Sequence, residues 1–130
     1  MSDLRERIKK TIESEPVVAF VKGTHEQAYC GNSLRAMEAL RRVGVAFTAV
    51  DVLPDPRIRQ ELSALSNWPT IPQVFVRGEL VGGADIVEEL AATGDLEAKL
   101  DERLGDSWRG AGEERTVAVS DREDPFRLVR

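Results

Sequence analysis

Val17-Val18-Ala19-Phe20-Val21 is an unbroken apolar run set between a charged segment and a polar loop. A strand with one face in water alternates apolar and polar side chains, so a run without alternation predicts a strand buried on both faces. Such a strand needs helices on two sides of its sheet, which restricts the chain to α/β architectures.

The flanking segments fit that demand. Leu4, Ile8 and Ile12 recur four apart between charges, predicting an amphipathic helix that ends before Pro16. Lys22 to Tyr29 reads as a polar loop, and from Gly31 the apolar positions Leu34, Met37, Leu40 and Val43 predict a second helix stopped by Gly44. Val45 to Val52 alternates and is rich in β-branched residues, so it predicts a strand parallel to the first.

Asp55 is placed as the cap of a third helix, with Pro56 in its first position and Ile58, Leu62 and Leu65 on one face. Gln73–Val76 and Glu79–Gly82 flank Arg77-Gly78, a two-residue hairpin turn. Gly82-Gly83 leads into a fourth helix, and Leu96, Leu100 and Leu104 mark a fifth. The predicted order is αβαβαββαα, with four strands.

Beyond Leu104 the periodicity fails. Residues 105–130 are charged and glycine-bearing, and are expected to form a C-terminal tail, flexible or loosely docked. Two alternatives stand for its apolar residues: Thr116 to Val119 as a short strand with Trp108 or Phe126 docked on the domain, or none of these.

The chain has 130 residues, 42% hydrophobic and 32% charged, enough for one domain with a real core. Its net charge of -5 and lack of a basic stripe argue against nucleic acid or an anionic membrane as partner. A single cysteine cannot form an internal disulfide, and the charged N-terminus is unlike a secretory signal, so a reducing cytoplasmic location is expected.

That cysteine, Cys30, sits where a loop meets a helix. There the positive end of the helix dipole and unpaired N–H groups favour thiolate, and Lys22 at the end of the preceding strand adds a positive charge. A nucleophile or metal ligand is one reading. The other is a small apolar core residue, as free cysteines often are.

The neighbours narrow this choice. Lys22-Gly23-Thr24, Cys30-Gly31-Asn32-Ser33, Asp55 to Leu62, Asn67 to Val76 and Gly78 to Ile86 stand in an order and spacing that closely resembles the monothiol glutaredoxins, over residues 3 to about 103. The resemblance implies a thioredoxin-like α/β fold with a central four-stranded mixed sheet flanked by helices, and a glutaredoxin domain at 1–104. It also implies a cis peptide at Ile71-Pro72 opposite the thiol, with the Ile71 backbone pairing a peptide-like ligand as a strand would.

The ligand implied is glutathione. Lys22 and Arg59 match the family cations for its glycine carboxylate, while Ala84 and Asp85 match the helix start that takes its γ-glutamyl end. Without the resemblance, Arg59 reads as a solvated charge, Asp85 as a helix cap, Pro72 as a strand boundary and Gly82-Gly83 as a simple turn.

Ser33 stands where a two-cysteine relative carries its resolving thiol, which leaves two functions for Cys30. By resemblance, Cys30 is the protein ligand of a 2Fe–2S cluster shared by two chains and two glutathiones, carried to acceptor proteins, with a BolA-like protein as a further partner. Alternatively, Cys30 is the nucleophile of a glutathione-dependent thiol-disulfide oxidoreductase that deglutathionylates proteins. The family motif has Phe where this chain has Asn32, and a smaller polar residue is expected to leave the cluster more exposed. His25 is either a further iron ligand or a solvated loop residue, and Ala84 replaces a cysteine that many relatives carry.

Overall fold

The computed structural model describes residues 3–121. In chain order these form α1 (Asp3–Ser14), β1 (Val17–Val21), α2 (Gly31–Val43), β2 (Thr48–Asp51), α3 (Arg57–Ser66), β3 (Gln73–Val76), β4 (Glu79–Gly82), α4 (Ala84–Thr93), α5 (Asp95–Leu104) and β5 (Arg115–Val117). The sheet order is β4-β3-β1-β2-β5, with β1 in the centre. β2 runs parallel to β1, and β3 runs antiparallel to it.

The unbroken apolar run is explained by this central place. Val17, Ala19 and Val21 point to a core with Met37 and Leu40 of α2, Val87 of α4 and Leu96 and Leu100 of α5. Val18 and Phe20 point the other way, to Leu4, Ile8 and Ile12 of α1 and Ile58 and Leu62 of α3. Phe20 meets Phe75 edge to face, with centroids 5.8 Å apart. The result is a thioredoxin-like mixed sheet between two helical layers.

Local signals hold at the turns. Arg77 (φ 50) and Gly78 (φ 82) both take positive φ, as the tight primed hairpin between β3 and β4 requires. Gly44 closes α2 in the left-handed region. α3 begins one residue later than Pro56, yet Asp55 still serves its start, accepting the Arg57 N–H at 3.1 Å while fully buried.

The sheet has five strands, not the expected four. β5 comes from the segment read as a tail and pairs in parallel with β2, Thr48 facing Arg115 and Val50 facing Val117. Arg115 is exposed and Thr116 and Val117 only partly buried, so the three residues carry no alternating pattern to read. Pairing with β2 satisfies backbone groups that the edge of a four-stranded sheet would expose. Trp108 and Val119 on either side are buried, one in each core, and anchor the segment; Phe126 lies outside the described residues.

Candidate functional site

Cys30 occupies the N-cap of α2 in extended conformation, φ −145° and ψ 131°, and its carbonyl accepts the Leu34 N–H at 3.0 Å. The side chain is half-buried. The thiol is held below its ordinary range chiefly by the backbone N–H of Ser33, against the opposing effect of burial. The Asn32 N–H, the Ser33 hydroxyl and the Lys22 charge lower it further, in that order.

Ser33 has a second task that the sequence does not advertise. It is fully buried, and its Oγ accepts the Lys22 N–H at 3.0 Å, tying the end of β1 to the first turn of α2. Its hydroxyl proton remains for the sulfur. Lys22 in turn accepts the Tyr29 N–H on its carbonyl at 2.8 Å, so the thiol loop closes on itself.

If the thiolate is stabilised in this way, the rate of Cys30 alkylation will rise with pH around a midpoint below the ordinary thiol range. Ser33→Ala should move that midpoint up more than Lys22→Met does. Iodoacetamide kinetics across pH check the order, and equal midpoints for the wild type and Ser33→Ala would contradict it.

The loop from Lys22 to Tyr29 is also gripped from outside. The His25 N–H donates to Thr116 Oγ1 at 2.8 Å, and His25 Nδ1 is 2.7 Å from the same oxygen. Arg41 of α2 donates to the His25 carbonyl and forms a fork on Glu114, Nε to both carboxylate oxygens at 3.0 Å. His25 is thus a docked loop residue, half-buried against β5, rather than a solvated one.

Beside the first turns of α2, a cleft of about 390 Å³ opens between α2, the Trp68–Pro72 turn and the start of α4. Ile71, Pro72, Ala84 and Asp85, named from the sequence, all line it, and the Ile71-Pro72 peptide is cis. Lys22, Cys30 and Arg59 do not line it, although Asn32, two residues after Cys30, does. Arg59 is exposed on α3. The indole Nε1 of Trp68 is buried without a partner among the described residues and lies 3.6 Å from where a Gly83 side chain would begin, at the cleft wall.

Of the cleft residues on α2, Arg35 carries no role in the sequence, and Asn32 stands out there only as the residue in place of Phe. Arg35 and Asn32 project from the first turns of α2, and the Arg35 guanidinium reaches α4 to bond Asp85 Oδ1 at 2.7 Å. Only helical phase carries a signal for Arg35, since it falls one position after apolar Leu34 and does not break the periodicity. A larger cavity of about 630 Å³ lies among Pro16, Phe47, Arg77 and Trp108, at the end of β1 away from Cys30.

No helix among the described residues is long and apolar enough to cross a membrane. The Glutaredoxin family profile matches residues 17–81. Monothiol glutaredoxin-S11 of Oryza sativa subsp. japonica is 46% identical over 76% of this chain, which spans only 20% of that longer protein. Glutaredoxin 4 of Pasteurella multocida is 47% identical over 73% of this chain and 87% of its own length.

Among solved structures, a truncated mutant of Trypanosoma brucei 1-C-Grx1 superposes with TM-score 0.69 at 42% identity, covering 75% of this chain and 89% of that one. A buckwheat glutaredoxin–glutathione complex superposes with TM-score 0.67 at 25% identity, covering 76% and 88%. With its cis turn facing a cleft and one thiol at the start of α2, the chain belongs to the glutaredoxin family, and its relatives there are monothiol glutaredoxins.

Proposed function

We propose that this domain binds glutathione in the cleft beside Cys30 and, as a homodimer, holds a bridging 2Fe–2S cluster that it delivers to acceptor proteins. The observation that carries this reading is a single stabilised thiolate at the start of α2 whose neighbour Ser33 is buried and committed to the backbone. No second thiol of the chain can resolve a disulfide at Cys30.

The donor set fits a shared cluster and not a private one. Among the described residues no group of three or more His, Cys, Asp or Glu could hold a metal. Cys30 supplies one sulfur, so a four-sulfur cluster needs a second copy and two glutathione thiols. Tyr29 and Leu34, 58% and 42% exposed on either side of Cys30, offer an apolar rim for that second copy to cover.

Lys22 and Arg59 are the cations we assign to the glycine carboxylate of glutathione. The Ile71 backbone beside Pro72 takes the cysteinyl residue, and Ala84 and Asp85 at the start of α4 take the γ-glutamyl end. The cluster, when bound, supplies an inorganic cargo that can leave when its dissociable ligands do. A BolA-like protein and iron–sulfur acceptors are the partners this reading places in the reducing cytoplasm.

A lowered, half-exposed thiol also suits the second reading. There the Cys30 thiolate attacks the glutathionyl sulfur of a protein mixed disulfide, and the protein leaves as its thiolate. A second glutathione thiolate then attacks the Cys30 adduct, releasing oxidised glutathione and regenerating Cys30.

Anaerobic reconstitution with iron, sulfide and glutathione separates the two. The expected result is visible absorption, two iron atoms per dimer and a doubled mass, all lost in Cys30→Ser or when glutathione is withheld. Asn32→Phe is expected to hold the cluster longer. A cluster-free monomer with fast glutathione-dependent reduction of a glutathionylated peptide would establish the second reading instead.

A further inference from the structure

Arg35 has no role in the reading above, and neither Asn32 nor Glu88 was assigned one in binding the ligand. The structure joins them. The Arg35 guanidinium donates through Nη1 to Asn32 Oδ1 at 2.9 Å and through Nη2 to Asp85 Oδ1 at 2.7 Å, with a third bond to Glu88. α2 and α4 are thereby bridged across one end of the cleft that Asn32, Arg35 and Asp85 all line.

This is more than a solvated ion pair. Arg35 engages one oxygen of Asp85, whose side chain remains 89% exposed, so the carboxylate can still take a second partner. Glu88 is the more enclosed anchor, with 31% of its side chain exposed. It is held below the usual carboxylate range, chiefly by its bond from Arg35, and therefore stays ionised. Asn32 fixes the opposite edge of the planar fork without adding charge.

A held guanidinium and an open carboxylate thus stand side by side at the cleft rim. Their chemical complement carries an anion and a cation on one carbon, which is the head of an α-amino acid. We propose that Arg35 takes the α-carboxylate of the ligand's γ-glutamyl head, beside the α4 start and Asp85 that the glutathione reading already gives to that head and its ammonium, with Asn32 and Glu88 positioning Arg35. The inference deepens the glutathione reading and rests on it, adding Arg35 as the residue that selects for an intact zwitterionic head.

The reading gives Asn32 a purpose. An aromatic side chain there offers no acceptor for Nη1, so the guanidinium would lose one of its three holds. Asn32 trades cover over the thiol for orientation of a ligand-binding cation.

The test is titration calorimetry of the full chain with three S-methylated ligands, which cannot form disulfides. These are S-methylglutathione, its N-acetyl derivative, and the analogue in which γ-aminobutyrate replaces glutamate and the α-carboxylate is missing. Wild type should prefer the parent over the carboxylate-free analogue by about two- to fivefold, a range set by the exposure of the pair. Arg35→Gln should weaken the parent by about that factor and leave the carboxylate-free analogue unchanged, collapsing the preference.

Arg35→Lys, which keeps the charge and loses the fork, should fall between. The N-acetyl derivative, lacking the ammonium, should bind more weakly than the parent in every variant. Equal weakening of all ligands by both Arg35 variants would reduce Arg35 to a brace between helices and overturn the inference, as would no change at all. Wild-type protein that binds none of the three would instead overturn the glutathione reading itself, in an experiment that needs no variant.

Discussion

Gly23→Ala is expected to cost about 3–5 kcal/mol in urea unfolding and to move Cys30 alkylation toward the behaviour of a free thiol. Gly23 sits at φ +128°, a conformation that L side chains rarely adopt, and an added carbon would lie 2.1 Å from the Gln27 carbonyl oxygen. That oxygen is backbone and cannot swing aside; it accepts the Thr24 N–H at 2.9 Å inside the thiol loop. Gly23 also donates its own N–H to Asp51 Oδ1 at 3.0 Å, so displacing it frees the loop from β2 as well.

Gly31 provides the control. It also neighbours the thiol, yet nothing lies within 4 Å of its added carbon and its φ is not positive. Gly31→Ala should change stability by less than about 0.5 kcal/mol. If both variants unfold at the same urea concentration, the loop is not held as the structure has it.

The pair shows where sequence stops being informative. Gly23 and Gly31 belong to the two motifs that bound the thiol loop, and nothing in their order distinguishes a glycine required by the backbone from one that is merely tolerated. The central strand was legible because double-sided burial removes the alternation that a half-exposed strand must show. The hairpin was legible because Arg77-Gly78 is a turn the backbone demands. The sides of the cleft, from Ile71 to Asp85, were legible through family resemblance and not through pattern.

What was not legible depends on contacts between distant segments. Arg35 meets Asp85 across 50 positions and His25 meets Thr116 across 91, and no local period encodes either meeting. β5 stayed one of two open alternatives for the tail for the same reason. Its strand character comes from the open edge of β2 and from Trp108 and Val119 as flanking anchors, not from its own three residues. It also lies beyond about residue 103, where the resemblance ends, so resemblance could not supply it.

Trp108→Ala is expected to undo that arrangement, at about 3–5 kcal/mol for the loss of a buried indole. Trp108 is 6% exposed, donates Nε1 to Asp101 Oδ1 at 2.9 Å and carries the Arg109 guanidinium over its ring at 4.3 Å. The 630 Å³ cavity already borders it, so removing the ring enlarges an existing void that its neighbours are poorly placed to fill. With the anchor gone, β5 loses its hold on β2, and the loop loses both Thr116 and the Arg41–Glu114 fork that supports the His25 carbonyl. Hydrogen exchange should therefore speed up at the His25 amide as well as in β5, although Trp108 and Cys30 sit at opposite ends of β1. Faster exchange in β5 with an unchanged His25 amide would show that the strand caps the sheet without bracing the thiol loop.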